Sequence, residues 1–250
     1  MDEKNGFDRF LSFIKIQLRN GNSSGAPARP RAVTISRQAG CGAQKVAETL
    51  ARLLESSMPK GSAPWTVFDR NLVEKVLEDH QLPHGLARFM PENRISEIQD
   101  ILDELFGLHP PSWLLVRQTA ETILHLASVG NVIIIGRGGN VITAGLDGVF
   151  HVRLVASLDR RVEQIQRRDG LRREAALQFI RQEDTGRQRY LRKYYHTDIN
   201  DPLLYHVVIN TDLVAYEKAA RLIADAALIG VSTHTDHKHG AMGRELELPR

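Results

Sequence analysis

Residues 33–54 read VTISRQAGCGAQKVAETLARLL: a β-branched run, a turn with two glycines, and an apolar pattern of helical spacing. This order predicts a strand, a tight turn and a helix. Gly40 and Gly42 would let backbone N–H groups approach an anion at the start of the helix, where the helix dipole favours negative charge. The stretch therefore predicts an α/β fold with a phosphate-binding turn.

The turn departs from the common phosphate-loop pattern GxxxxGK[ST]. Gly42 takes the second glycine, but Arg37 stands at the first glycine, Ala43 at the lysine and Gln44 at the hydroxyl residue. Arg37 and Lys45 bracket the turn and leave cations near any bound phosphate. A glycine turn can also join a strand to a helix without any ligand. The candidate nucleotide-binding residues are Ser36, Gly40, Cys41, Gly42, Ala43, Gln44 and Lys45, with Cys41 interpreted as a small filler.

Strand-like and helix-like segments alternate along the chain. We predict strands at 32–36, 65–69, 131–135, 149–155 and 205–210, and their β-branched runs are typical of parallel strands buried on both faces. A mostly helical insertion covers 71–128, and a charged helical pair interrupted near Gly170 covers 158–194. The alternation predicts a three-layer α/β domain over 31–230 with a five-stranded parallel sheet.

Two terminal segments lie outside this domain. Residues 1–30 combine an amphipathic helix with a linker rich in Gly, Ser and Pro, and we expect the helix to pack on the domain or to form a homodimer. Residues 231–250 have little apolar periodicity and predict a mobile tail. We predict no metal ligands in this tail or elsewhere.

Composition excludes some classes of protein. Hydrophobic residues make up 42% and charged residues 25% of the chain, which is ordinary for a soluble globular protein, and no apolar run approaches a membrane span. The single cysteine and the absence of a secretory signal predict a cytoplasmic location. We expect no membrane partner.

The basic charge is concentrated in one region. Residues 153–193 hold eleven Arg and one Lys against six acidic residues, whereas the whole chain has a net charge of +3. Arginine suits bidentate contact with phosphate, although a solvated helix face with internal ion pairs is the alternative. No aromatic-interleaved groove accompanies the charge, so we do not expect nucleic acid as a partner.

Further motifs are ISRQAGCG at 35–42, VFDRNLV at 67–73, VIIIGRGGNVITAGLDGVFHVRLVAS at 132–157, RQEDTGRQRYLRKYY at 181–195 and DPLLYHVVINTD at 201–212. In this order they resemble the cytidylate kinase-like family of bacterial proteins over about residues 31–229. The resemblance implies a P-loop nucleoside monophosphate kinase fold with a helical insertion and a helical lid at about 158–200. It also implies ATP as phosphoryl donor, Mg²⁺ as cofactor and small nucleotides as partners.

The resemblance also implies acceptor-binding residues. Gly136 and Arg137 match a Gly-Arg-Asp stretch that holds the acceptor nucleotide in cytidylate kinases, and Gly138 replaces its aspartate. Asp69, with Arg70 beside it, matches an acidic residue after the second strand. Both segments would lie at carboxyl ends of strands, where open α/β sheets bind ligands.

The lid is expected to contribute charge. Asp184 and Arg187 match a lid Asp and Arg spaced three apart, with Asp184 expected at the acceptor, and Arg181 matches another lid arginine. We predict Arg37, Arg181 and Arg187 as catalytic cations that stabilise the transferring phosphoryl group. The leading function is phosphoryl transfer from ATP to CMP or a similar acceptor. A nucleotide-binding regulatory module without transfer, motivated by Ala43, and a kinase of another small acceptor, motivated by Gly138, stay open.

Overall fold

In a computed structural model, residues 31–69 and 112–229 are described. The predicted N-terminal helix and linker, the first part of the insertion with Arg70, and the predicted C-terminal tail lie outside these residues. The strands are β1 (Ala32–Arg37), β2 (Thr66–Phe68), β3 (Val132–Ile135), β4 (Val149–Val155) and β5 (Val207–Asn210). The helices are α1 (Ala43–Ser56), α2 (Ser112–Val129), α3 (Gly139–Ile142), α4 (Leu158–Asp169), α5 (Arg173–Tyr195) and α6 (Tyr216–Ile229), with a 3₁₀ turn at Pro202–Leu204.

The five strands form one parallel sheet in the order β2-β3-β1-β4-β5. The prediction of a five-stranded parallel α/β sheet is confirmed. β1 is central because its register pairs Ala32 with Val132 of β3 on one side and with Val149 of β4 on the other. The carboxyl ends of β1, β3 and β4 therefore meet at one edge, which is where the glycine turn begins.

The main core lies on one face of the sheet, beneath α1 and α6. Apolar residues of α1 recur at three- and four-residue spacing and meet alternate strand residues such as Val33, Ile35 and Val152. The opposite face carries a polar row in which Thr34 and Ser36 of β1 lie beside His151 and Arg153 of β4. One face of the sheet thus provides stability, and the other holds buried polar groups.

The predicted charged pair is α4 and α5. Ser157 caps α4 by accepting a hydrogen bond from the Arg160 N–H at 3.4 Å, and Gly170 ends it in the left-handed conformation. α5 packs Tyr190 and Leu191 against Val116 of α2. The part of the chain that the structure describes contains no helix long and apolar enough to cross a membrane.

His151 of the polar row and the neighbouring His206 make the fold sensitive to acid. The Thr34 hydroxyl lies 2.8 Å from Nδ1 of His151, and the His151 N–H donates to Nδ1 of His206 at 2.9 Å. Burial, followed by the nearby charge of His206, lowers the pKa of His151 from 6.5 to about 4. Burial also lowers the pKa of His206. Both rings are therefore neutral in the folded protein at neutral pH.

Because of His151, we expect the free energy of unfolding to decrease as the pH falls. The unfolded chain takes up a proton near pH 6.5 and the folded chain only near pH 4. The free energy of unfolding should therefore be highest above about pH 6.5 and decrease progressively toward pH 4. The loss should approach about 3 kcal/mol. Urea unfolding at pH 7.5 and pH 4.5 measures it. His151→Asn, which can keep a polar partner for Thr34, should show a smaller decrease than the wild type. The exposed His196→Asn serves as the control, and an unchanged decrease in His151→Asn would contradict the assignment.

Candidate active site

The turn between β1 and α1 is closely packed around its two glycines. Gly40 and Gly42 have φ values of 82° and 83°, in the left-handed region that favours glycine. A Cβ on Gly40 would lie 2.6 Å from the backbone oxygen of Arg161, and one on Gly42 would lie 2.3 Å from the ring of Tyr216. Both glycines are therefore favoured by conformation, and Gly40 is also required by its close approach to backbone. The helix that follows begins at Ala43, directly after the turn.

The remaining turn residues differ in what they can offer a phosphate. Ala43 packs in the main core, so the position that carries lysine in the common pattern is apolar and buried here. Gln44 is exposed and donates to Glu48 at 3.0 Å, and Nζ of Lys45 lies 5.9 Å from the centre of the Tyr216 ring. Neither contact places its group on the turn backbone. Cations for a phosphate must then come mainly from outside the turn.

Burial raises the pKa of the Cys41 thiol to about 11, although Arg37, the Ala43 backbone N–H and Arg187 each lower it. The thiol is protonated at neutral pH, which supports the interpretation of Cys41 as a filler. Because Arg37 and Arg187 both lower this pKa, their positive charges act electrostatically on the glycine turn.

Arg37 and Asp69 meet across the carboxyl edge of the sheet. Nη2 of Arg37 lies 4.0 Å from Oδ1 of Asp69, and the two side chains are 18% and 35% exposed. β3 lies between their strands, so the contact spans the end of that strand. The structure thus brings a predicted catalytic cation together with a predicted acceptor-binding carboxylate.

Arg137 follows β3 in a strained conformation. Gly136, Arg137 and Gly138 have φ values of 81°, 59° and 69°, three left-handed residues in succession. A non-glycine residue in this region costs about 1–2 kcal/mol, and such strain is concentrated at functional sites. A Cβ on Gly138 would lie 3.1 Å from the Tyr195 ring at the end of α5. Glycine at this position therefore leaves room for the Tyr195 ring.

Asp184 of α5 holds the turn from the other side. Its carboxylate accepts hydrogen bonds from the Ala39 N–H at 2.8 Å, from Arg187 at 2.7 Å and from Arg161. Arg187 also donates to Glu183 at 2.8 Å, and its side chain is 5% exposed. The structure therefore places Asp184 and Arg187 together as a clamp on the turn. Their predicted roles in acceptor binding and catalysis stay predictions.

Arg181 is exposed on α5 and makes no hydrogen bond or ion pair within residues 31–69 and 112–229. Arg187 lies six positions further along the helix, which sets the two side chains about 120° apart around it. The structure does not bring these two predicted catalytic residues to one face.

Sequence reasoning missed Arg161, which it includes only as one of the eleven arginines of residues 153–193. Its signal is the spacing of four residues to the buried Ile165, which places this arginine on the apolar face of α4. The reasoning also missed Arg153. There the signal is alternation, because His151 and Arg153 are polar residues on one face of a strand that is otherwise apolar.

A polar cleft opens beside Gly40, between α4 and the turn that leads from β5 to α6. The Thr211 hydroxyl donates to the Cys41 carbonyl at 3.1 Å, which ties this turn to the glycine turn. Basic, acidic and aromatic side chains line this shallow cleft, and its lining residues are Gly40, Ala156, Arg160, Glu163, Gln164, Arg167, Thr211, Asp212 and Tyr216.

The chain is similar to several known proteins over part of its length. A cytidylate kinase of Pyrococcus horikoshii is 30% identical over 144 residues, which cover 56% of this chain and 72% of that protein. A uronate isomerase of Corynebacterium glutamicum is 30% identical over 111 residues, which cover 44% of this chain but only 21% of that protein. A crystal structure from Eubacterium ventriosum matches with a TM-score of 0.56 at 16% identity, over 78% of this chain and 97% of the other, and this match concerns the fold alone.

A family of proteins also matches most of the chain. The sequence model of the cytidylate kinase-like family aligns with residues 32–213, from the first residue of β1 to just beyond β5. This range contains the glycine turn, the strained Arg137 and the Asp184 clamp. The chain belongs to the cytidylate kinase-like family.

Proposed function

We propose that this protein is an ATP-dependent kinase that transfers the γ-phosphoryl group to a nucleoside monophosphate such as CMP or dCMP. The observation that carries the proposal is the meeting of the glycine turn, Arg37 and the strained Arg137 at the carboxyl edge of one parallel sheet. Family membership supports a phosphotransferase acting on a nucleotide or another small molecule. The particular acceptor is our inference.

The reaction needs alignment and charge stabilisation more than covalent help. An oxygen of the acceptor phosphate would attack the γ-phosphorus, and the bond from that phosphorus to the bridging oxygen would break, so that ADP leaves with the electron pair. N–H groups at the start of α1 would hold the donor phosphates. The guanidinium groups of Arg37 and Arg137 would stabilise the oxygen charge from the adjacent strand ends.

Mg²⁺ is the expected companion of ATP in this reaction. The described ranges 31–69 and 112–229 bring no three His, Cys, Asp or Glu side chains together as a metal site. Mg²⁺ retains several waters and is commonly held through substrate phosphates. We therefore assign the ion to the phosphate oxygens and name no protein ligand for it.

The lid arginines would act in different ways. Arg187 is fixed by Asp184 and Glu183, and it would act on the phosphates through its field, which already reaches Cys41 in the turn. Arg181 is exposed and could approach the phosphates only by movement of α5. The cleft between α4 and Thr211 would take the donor nucleoside. Since the reaction uses ATP, we infer a cytoplasmic location.

Two observations favour other functions. Ala43 is buried in the core, which leaves the turn without its usual ammonium and favours a regulatory module that binds nucleotide without transfer. Gly138 carries no carboxylate and lies against the Tyr195 ring, which favours a different small acceptor. Calorimetry with ATP and an acceptor panel that extends beyond nucleotides separate these functions from the leading one.

Arg137→Asn is expected to lower kcat by roughly 10²–10³-fold, because it removes one positioned cation from the transferring group. Asparagine tolerates the left-handed backbone, so the fold should be retained. Transfer of phosphate from MgATP is measured over a panel of nucleoside monophosphates, with Arg117→Ala in the exposed Arg117–Glu121 pair as the matched control. Absence of turnover of every acceptor by the wild type would remove the kinase proposal. Equal rates for Arg137→Asn and the control would remove Arg137 from the site.

A further inference from the structure

Arg153 is a buried arginine on the strand beside β1, and β1 leads into the glycine turn. It lies on β4, where its register partner is Ser36, and only 5% of the residue is exposed. Nη1 donates to the Ser36 hydroxyl oxygen and Nη2 to Oδ1 of Asn200, each at 2.9 Å. The guanidinium also lies 5.7 Å from the centre of the Tyr205 ring.

The hydrogen-bond partners of Arg153 are all neutral. The Tyr205 hydroxyl lies 2.8 Å from the Ile199 carbonyl and 3.2 Å from the Ser36 hydroxyl. A phenol has one proton, and the carbonyl can only accept, so the Ser36 hydroxyl donates to the phenol oxygen. The chain of bonds runs from Arg153 through Ser36 and Tyr205 to the carbonyl. It satisfies each hydroxyl and leaves the positive charge in place.

Within residues 31–69 and 112–229, no carboxylate lies within ion-pair distance of Arg153. The two aspartates nearest to Asn200 in sequence are engaged elsewhere. Asp198 accepts the Asn200 N–H and faces Arg192 at 4.0 Å, while Asp201 accepts the Leu203 N–H. A buried charge without an opposite charge is costly in a folded protein.

The other arginines near the turn differ from Arg153. Arg37 faces Asp69, and Arg161 and Arg187 share Asp184. Their charges are offset by the protein itself. Arg153 is the buried cation of this group whose charge the described protein leaves unbalanced.

We propose that Arg153 is the fixed cation of an anion site at the glycine turn, where a bound phosphoryl group provides the missing negative charge. Arg153 acts as a positioning residue, through the Ser36 hydroxyl and through its field, and the identity of the ligand as a nucleotide rests on the proposed function. The phosphoryl group could belong to the donor or to the acceptor. Both offer the same chemistry, and the experiment separates them.

Asn200→Asp is the decisive variant, because aspartate has nearly the shape of asparagine. Its carboxylate would take the place of the amide oxygen that accepts from Arg153 at 2.9 Å. We expect it to raise the urea midpoint, since the buried charge gains a partner, and to weaken binding of inorganic tripolyphosphate about tenfold, since the field of Arg153 is cancelled. Arg153→Met should weaken the same binding to a similar extent, and Arg153→Lys should retain most of it. Gln178→Glu, which adds the same charge at an exposed position of α5, is the control and should bind as the wild type does.

Calorimetry with tripolyphosphate, MgATP and CMP assigns the phosphoryl group. Weakening confined to tripolyphosphate and MgATP indicates the donor phosphates, and weakening confined to CMP indicates the acceptor phosphate. If Asn200→Asp and Arg153→Met change stability but bind all three probes as the wild type does, Arg153 is only structural and the inference is overturned. Binding of none of the probes by the wild type overturns it as well. Loss of turnover alone removes the kinase proposal and leaves an Arg153-dependent anion site standing.

Discussion

Replacing Asp184 by asparagine is expected to lower the free energy of unfolding by about 3–5 kcal/mol, the range found when one partner of a buried ion pair is removed. Asp184 is the shared carboxylate of Arg161 and Arg187, whose side chains are 10% and 5% exposed. Asparagine keeps the size of the side chain and one acceptor oxygen, but it removes the negative charge. Arg161 would lose its ion pair, and Arg187 would retain only Glu183.

Urea unfolding of the Asp184→Asn variant at neutral pH measures this loss. The matched control is Asp159→Asn, which breaks an ion pair with Arg173 whose side chains are 77% and 54% exposed, and this change should cost less than about 1 kcal/mol. A loss for Asp184→Asn no larger than that of the control would show that the clamp does not hold the fold. Because Asp184 also accepts the Ala39 N–H, we expect ATP binding to weaken in the same variant.

The second large effect is expected from Gly40→Ala. The added Cβ would lie 2.6 Å from the backbone oxygen of Arg161 and 3.1 Å from its Cα, so the contact is with backbone that cannot rotate away. The φ of 82° adds the cost of a left-handed alanine, about 1–2 kcal/mol. The turn would have to move away from α4. We expect a loss of at least about 3 kcal/mol of stability and at least tenfold weaker binding of MgATP.

Gly61→Ala separates the two causes. Gly61 has a φ of 89°, close to that of Gly40, but nothing lies within 4 Å of the Cβ position. This variant measures the cost of the left-handed backbone alone, and we expect about 1 kcal/mol with ATP binding unchanged. Thermal unfolding and calorimetry are measured on both variants. Equal losses in the two would mean that the contact with Arg161 contributes nothing.

The sheet could be predicted from sequence because its strands are short β-branched runs separated by helical patterns. The ends of the strands were less accurate. The predicted fifth strand begins at 205, whereas β5 begins at Val207. Tyr205 instead turns its hydroxyl to the Ile199 carbonyl, and His206 accepts the His151 N–H on its ring. The contact of His206 joins residues 55 positions apart, which a local pattern does not contain.

The candidate site likewise contains residues that the sequence could predict and residues that it could not. Asp69 and Arg137 were predicted at carboxyl ends of strands, and parallel strands bring these ends together at one edge, where Arg37 also lies. The clamp could not be predicted, because its donors come from Ala39 and Arg161, far from Asp184 in sequence. Arg153 was counted only among the basic residues of 153–193, although the strand predicted at 149–155 contains it. Charge counting does not reveal which face of an element is buried.

The central position of β1 has a consequence for synthesis of the chain. β1 is the first described strand to leave the ribosome, yet its partners β3 and β4 begin 100 and 117 residues after Ala32. At a synthesis rate of about 5–20 residues per second, on the order of ten seconds pass before the second edge of β1 can pair. The Ala39 N–H stays without its acceptor for longer still, because Asp184 is synthesised after β4. The nascent polypeptide therefore exposes a β-branched segment during translation, and this interval is when a chaperone has most to protect.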